Sequence, residues 1–127
     1  MRHRNRGFTL IELLVVVAII GILSAIGVVS YGKYKTSAEK KQAEISLNSI
    51  YLAEQEYKSN NGEYYYNTST SNIVTNLFDG IDDLSEQSYS FKTTNANTLS
   101  IIATNKKNKS CTITITEKNK KADRKGC

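Results

Sequence analysis

The sequence predicts an α+β protein in which a long N-terminal helix, membrane-spanning in its first half, packs on a small antiparallel β-sheet. An unbroken apolar run near the start of the 127-residue chain leads into a helical spacing of apolar residues. Three short runs rich in β-branched and aromatic residues follow in the last third of the chain, separated by turn residues. The length allows one small domain, not two.

The apolar run covers residues 13–32, twenty consecutive uncharged positions of which only Ser24, Ser30 and Tyr31 are polar. About twenty apolar residues are what a helix needs to cross a bilayer core. Basic residues precede the run, and basic residues close to a membrane-spanning segment stay on the cytoplasmic side. We therefore expect a single-pass membrane protein with its N-terminus in the cytoplasm.

A secretory signal peptide is the alternative explanation for this region, and two features weigh against it. The run is longer than the roughly 7 to 15 residues of a signal peptide's apolar region. An acidic residue, Glu12, stands at its cytoplasmic edge. A carboxylate inside a bilayer costs about 2.5 to 3.5 kcal/mol on insertion scales and usually has a partner. Glu12 is therefore a candidate functional residue.

The stretch RGFTLIELLVVVAIIGIL, residues 6–23, resembles the signature of the type IV pilin family, which type II secretion pseudopilins share. The resemblance implies the pilin fold, cleavage after Gly7 by a prepilin peptidase, and N-methylation of the new terminus at Phe8. Residues 1–7, with their three arginines and one histidine, would be the cleaved basic leader. The resemblance also implies that the Glu12 carboxylate pairs with the Phe8 amine of a neighbouring subunit during assembly.

The helix should continue from a transmembrane and polymerisation half, residues 8–32, into an amphipathic half, residues 33–60. Asn and Gly residues at 60–62 supply a helix stop near residue 60. Glu54 and Lys58 have the spacing of an ion pair on one helix face. Two apolar stripes are expected to carry the globular head: Ala43, Leu47, Ile50 and Tyr57 in one, and Ala38, Ile45 and Leu52 beside it.

The globular head is expected over residues 61–127. Residues 62–88 lose clear periodicity, and we interpret them as a loop connecting helix and sheet. Strands are predicted at residues 89–93, 99–104 and 112–116, in a sheet of three or four antiparallel strands whose apolar side faces the helix. The acidic part of the loop could bind calcium but lacks the spacing of an EF-hand, and a solvated turn is the alternative. Its acidic residues are Asp79, Asp82, Asp83 and Glu86.

The two cysteines, Cys111 and Cys127, stand sixteen residues apart, and no second Cys or His pair is present to complete four metal ligands. A disulfide is the simpler interpretation, with two free thiols as the alternative. Disulfides persist in oxidising compartments, so the C-terminal part should lie outside the cytoplasm. In type IV pilins such a disulfide loop borders the exposed filament surface, and the resemblance suggests that role here.

No enzyme and no cofactor are predicted, because the one histidine, His3, lies in the leader and no catalytic spacing or metal-ligand set is present. The resemblance implies a structural subunit, held in the inner membrane before assembly and found in an extracellular pilus afterwards. That filament would serve adhesion, motility or DNA uptake, and an inner-membrane assembly platform and a cytoplasmic motor would extend it.

Three alternatives to this function stay open from the sequence. The first is a pseudopilin of a type II secretion system, and the second is a single-pass anchored domain that does not assemble. The third is a minor pilin that binds DNA or surfaces through a Lys-rich face. The basic residues of that face are Lys106, Lys107, Lys109, Lys118, Lys120, Lys121, Arg124 and Lys125.

Overall fold

The computed structural model describes residues 6–94 and 97–127. The elements in chain order are helix α1 (Leu10–Asn61), helix α2 (Thr70–Leu77), a one-turn 3₁₀ helix (Leu84–Glu86), and strands β1 (Tyr89–Thr94), β2 (Ser100–Asn105), β3 (Thr112–Thr116) and β4 (Asp123–Lys125). The predicted α+β class, a long N-terminal helix with a small antiparallel sheet, is confirmed. The chain divides into two compact units, Met1–Ser37 and Ala38–Cys127, and α1 belongs to both.

Helix α1 ends within one residue of the predicted stop, and the backbone explains why. Gly62 follows Asn61 with a φ of +84°, a left-handed conformation that glycine adopts without steric cost. The Gly62 amide donates to the Lys58 carbonyl at 2.7 Å, which satisfies one of the acceptors left open at a helix end.

The sheet has the order β1-β2-β3-β4, and each neighbouring pair is antiparallel. The three predicted strands are confirmed to within one residue at each end. The predicted sheet of three or four strands has four, and the sequence gives no position for β4, because its three residues are all charged and exposed and carry no alternating apolar pattern. It forms by pairing with β3, in the register Thr112 opposite Lys125.

Our interpretation of residues 62–88 as a loop is wrong over α2 and over the short 3₁₀ helix. Helix α2 has only eight residues, and its Thr, Ser and Asn content gives it little intrinsic helix propensity. Tertiary contacts stabilise it instead: Ile73 and Val74 are buried in the core. The Thr70 hydroxyl oxygen also accepts from the Phe91 amide at 2.8 Å on β1.

Only one of the two predicted stripes on α1 carries the head. Leu47 and Ile50 are fully buried with Ala43, and Tyr57 is half-buried. The second stripe is wrong: Ala38, Ile45 and Leu52 are exposed. At about 100° of rotation per residue, these three positions face nearly opposite the buried stripe rather than lying beside it. The buried face of α1 includes instead two polar residues, Ser46 and Glu54.

Candidate assembly site

The first unit has a long apolar surface that is exposed throughout the described residues. Every described residue up to position 37 is exposed, although most side chains along this part of α1 are large and apolar. The exposed fractions of its large apolar side chains run from 47% at Val16 to 79% at Leu10. Apolar surface of this extent marks a contact with membrane or protein, because soluble monomers expose only limited contiguous patches. Among the described helices, α1 is the one long and apolar enough to cross a membrane.

Glu12 lies at the start of α1 and takes part in its N-terminal cap. The Thr9 amide donates to Glu12 Oε2 at 2.9 Å, and the Glu12 amide donates to the Thr9 hydroxyl at 3.3 Å. This reciprocal pair is a capping box, whose signature is Thr-x-x-Glu. The spacing of Thr9 and Glu12 in the sequence is the signal for this cap. Within the described residues Glu12 Oε1 makes no hydrogen bond, so half of the exposed carboxylate stays open to a further donor.

The predicted processing site lies just before the helix. Gly7 and Phe8 have no regular secondary structure and are exposed, and α1 begins at Leu10. A peptidase could therefore bind this peptide bond without unwinding a helix. The predicted leader residues before Arg6 lie outside the described residues.

The cysteines form a disulfide in the second unit. Cys111 and Cys127 are bonded, with their Cα atoms 4.5 Å apart. Cys111 is buried, and its sulfur lies 3.3 Å from the Tyr89 hydroxyl. The loop closes through Gly126, whose φ is +66° and at which any side chain would collide with the Ser110 carbonyl group.

Polar contacts join the disulfide loop to α1. Arg124 binds Glu44 through Nε at 2.7 Å and Nη2 at 2.6 Å, and Lys40 donates to the Cys127 carbonyl at 3.2 Å. Partial burial on its own would raise the pKa of Glu44. The hydrogen bond and charge of Arg124, with a smaller contribution from Lys41, lower that pKa below its ordinary value. The ionised carboxylate thus fixes the loop to the helix.

The N-terminal region of the chain is similar in sequence to known proteins. Residues 2–28 match the family described as the prokaryotic N-terminal methylation motif. The chain carries the prokaryotic N-terminal methylation motif. Its similarity extends to a type IV major pilin protein, PilA, of Myxococcus xanthus, which is 44% identical over 61 residues, or 48% of this chain. The resemblance inferred from residues 6–23 is confirmed.

Two further relatives are similar in sequence to the chain. A fimbrial protein of Neisseria meningitidis is 36% identical over 59% of this chain, and the type IV major pilin protein PilE of Neisseria gonorrhoeae is 43% identical over 53%. The aligned stretches cover 28%, 44% and 36% of the lengths of these three relatives, so the chain spans less than half of each. All three are described as pilins or fimbrial proteins. No solved structure matches the chain.

The head contains a buried acid, Glu54, for which the sequence spacing predicted an ion pair with Lys58. Glu54 is fully buried and does not pair with Lys58, which contacts Glu117 at 3.9 Å instead. Glu54 Oε2 accepts from the Tyr65 amide at 2.8 Å, whereas Oε1 has no hydrogen-bond partner. Burial raises the pKa of Glu54 to about 7, against a smaller lowering by the Tyr65 hydrogen bond. The predicted burial of Ile50 was the signal in the sequence for the burial of Glu54, because positions four apart lie on the same helix face.

The charged surfaces of the head are divided between its turns. The basic residues lie in the β2–β3 turn, in the β3–β4 turn and on β4. Within the described residues no group of three or more His, Cys, Asp or Glu side chains is placed to hold a metal ion.

Proposed function

We propose that the chain is a type IV pilin, a structural subunit that polymerises through its N-terminal helix into a surface filament. One observation carries this proposal: the methylation motif leads directly into a helical segment whose apolar side chains are all exposed. Such a surface must be covered by lipid before assembly and by other subunits afterwards. The pilin relatives support the same function.

In this proposal a prepilin peptidase cuts after Gly7 and the new terminus at Phe8 is methylated. Cleavage removes the basic leader and leaves 127 − 7 = 120 residues. The three leader arginines are removed with it, so the net charge of the side chains falls from 17 − 12 = +5 to 14 − 12 = +2. The free amine at Phe8 is then available to the open Oε1 of Glu12 on a neighbouring subunit, an attraction that would set the axial register.

The parts of the chain take the following roles. Residues 8–32 anchor the precursor in the inner membrane, with the N-terminus in the cytoplasm, and later form the filament core. Residues 33–60 hold the head, and residues 61–127 place the Cys111–Cys127 loop at the filament surface. An assembly platform in the inner membrane and a cytoplasmic motor drive extension. The filament then serves adhesion, motility or DNA uptake.

The test is intact-mass and N-terminal analysis of the protein from sheared extracellular filaments, compared with the membrane fraction. We expect an abundant filament protein that starts at methylated Phe8 and is lighter by the hydrogens lost in the disulfide. The same processed chain confined to the cell envelope would point to a pseudopilin or a minor subunit. A chain still starting at Met1 in a host with prepilin peptidase would contradict the proposal.

A further inference from the structure

A groove of mixed polar and apolar lining with an acidic rim lies on the head where the turn after α2 approaches α1. It has a volume of about 510 Å³ and is lined by Gln42, Phe78, Ile81, Asp82, Asp83 and Gln87. Ile81 is 84% exposed, so its apolar side chain is accessible beside the two carboxylates. A smaller cleft of about 170 Å³ shares the two glutamines and adds two more carboxylates, Glu39 and Glu86.

The negative charge of this groove is not neutralised within the described residues. Asp82, Asp83, Glu39 and Glu86 take part in no ion pair there, since the ion pairs of the head use Glu44 and Glu117. One cation does approach: Lys106 donates to the Ser85 carbonyl at 2.8 Å, so its ammonium group is held on the backbone. The groove is thus suited to a ligand that is both cationic and partly apolar.

The β3–β4 turn of the same head has the complementary chemistry. Lys118 and Lys121 are exposed and form no ion pair within the described residues. Their acidic neighbour Glu117 is engaged by Lys58. A lysine also carries a long apolar stem, which can lie along an exposed isoleucine while the ammonium group reaches a carboxylate.

The groove and this turn lie at opposite ends of the head. The groove is lined by Gln42 of α1, whereas the β3–β4 turn reaches α1 nine residues later, where Lys120 stands over the Tyr51 ring at 5.6 Å. At 1.5 Å per residue this is about 14 Å along the helix. Strand β3 gives the same separation. The β2–β3 turn, at the start of β3, lies beside the groove, because its Lys106 contacts Ser85. The β3–β4 turn follows the other end of β3. The two surfaces therefore cannot meet within one copy.

We propose that the β3–β4 turn of one copy docks into the acidic groove of the next copy. Complementary patches at opposite ends of one unit form a heterologous, head-to-tail contact, which produces an open helical array rather than a closed dimer. This inference rests on the proposed filament function and adds to it a contact between the globular heads of neighbouring subunits. Charge at such a contact sets register and partner choice more than raw affinity.

Charge exchange in the full-length chain, produced in a host that assembles filaments, tests the contact. Asp82→Lys with Asp83→Lys, and separately Lys118→Asp with Lys121→Asp, should each lower the yield of sheared filaments by about tenfold or more, because each places like charges together. Combining all four substitutions restores the opposite charges and should restore the yield. Wild-type filaments should also shear more easily as salt concentration rises.

The matched control is Lys107→Asp with Lys109→Asp, which makes the same charge change on exposed lysines of the β2–β3 turn and should leave the filament yield unchanged. The milder pair Asp82→Asn and Asp83→Asn should give an intermediate loss, and it serves if the reversed pair is degraded. Normal filaments from both reversed pairs, or no rescue by the combination, would overturn the contact and leave the proposed function intact. A wild-type chain that is processed but forms no filaments would overturn both.

Discussion

Helix α1 has the same backbone structure in both units, but its side chains meet opposite environments. In the first unit its large apolar side chains are exposed, whereas in the head Ala43, Leu47 and Ile50 have no exposed surface. The head thus buries its apolar face by intramolecular packing, and the first unit has no such partner. We therefore expect substitutions of apolar residues in the first unit to affect the proposed assembly, and those in the head to affect folding.

The acidic residues of the helix differ in the same way. Glu12 is exposed and accepts one hydrogen bond in a capping box, so its charge is available to another molecule. Glu54 is enclosed by the head, and burial raises its pKa to about 7. One residue type on one helix thus has two environments, an exposed one at the start of the helix and an enclosed one in the head, and burial determines the cost of carrying a charge.

The largest effect should come from Glu12→Ala, which we expect to abolish filament assembly while the head keeps its fold. Glu12→Gln separates the two roles of the side chain, because glutamine retains the capping hydrogen bond but not the charge. Filaments are counted after shearing, and head folding is checked by the disulfide and by thermal unfolding in detergent. If charge pairing sets the register, Glu12→Gln also fails to assemble.

The control for this prediction is Glu56→Ala, an exposed acid on the same helix that makes no ion pair within the described residues. It should assemble as the wild type does. Normal filaments from Glu12→Ala would show that the first unit is only an anchor. Normal filaments from Glu12→Gln alone would assign Glu12 to the helix cap.

A pair of leucine variants should sharpen the contrast within the head. Leu47→Ala removes a fully buried side chain and should lower the free energy of unfolding by about 2 to 5 kcal/mol. Leu52→Ala removes a side chain that is 68% exposed and should change it by no more than about 0.5 kcal/mol. Thermal unfolding of both full-length variants in the same detergent measures the difference. Equal losses would mean that Leu52 packs in the head after all.

These contrasts show which features the sequence could predict. The long helix, its stop at Gly62 and the first three strands follow from local signals: a long apolar run, a glycine that permits a left-handed conformation, and β-branched alternation. The methylation motif is equally local. Helix α2 depends on a contact with β1 that is distant in sequence, and β4 has three charged residues with no strand pattern, so neither could be located from the sequence. The second stripe on α1 was an error of helical geometry, since the sequence already placed it opposite the first.

The burial of Glu54 could have been predicted from its place on the stripe that contains Ile50, but its hydrogen-bond partner lay beyond the sequence. The spacing of four from Lys58 indicates an ion pair, and spacing alone cannot show that both side chains have other partners. In the structure Lys58 turns to Glu117 and to the Tyr64 ring, 4.3 Å from its ammonium group. Glu54 faces the amide of Tyr65, and that contact depends on how the chain returns after Gly62.

Removing the disulfide should destabilise the head and leave the first unit unchanged. Cys111→Ser with Cys127→Ser opens a loop of about 15 residues, which is worth about 3 kcal/mol in the chain-entropy model. The unfolding temperature of the full chain should fall, and reductant should produce the same fall in the wild type but none in the variant. Helical content in membrane-like detergent should change little. An unaltered unfolding temperature would mean that the Glu44 to Arg124 contact alone holds the loop.

The smallest effect is a dependence of head stability on pH that arises from Glu54. Its pKa in the folded head is raised to about 7, above the ordinary value of 4.5, so the folded state favours the protonated acid. The stabilisation that protonation provides is complete below about pH 4.5 and is lost as pH rises through 7. Glu54→Gln removes the titration, so its stability relative to the wild type should rise by about 2 kcal/mol between pH 5 and pH 8.

Thermal unfolding of the wild type and of Glu54→Gln across that pH range measures the change. Glu44→Gln is the matched comparison: its effect has the opposite sign and lies below about pH 4.5, so its stability should run parallel to that of the wild type between pH 5 and pH 8 and approach it only at lower pH. The pKa of Glu44 is lowered in the folded head, so its stabilisation is present above its unfolded pKa and is lost as pH falls through the folded value. Parallel curves for the wild type and Glu54→Gln would show that Glu54 stays ionised inside the head, and that water or another group reaches its open oxygen.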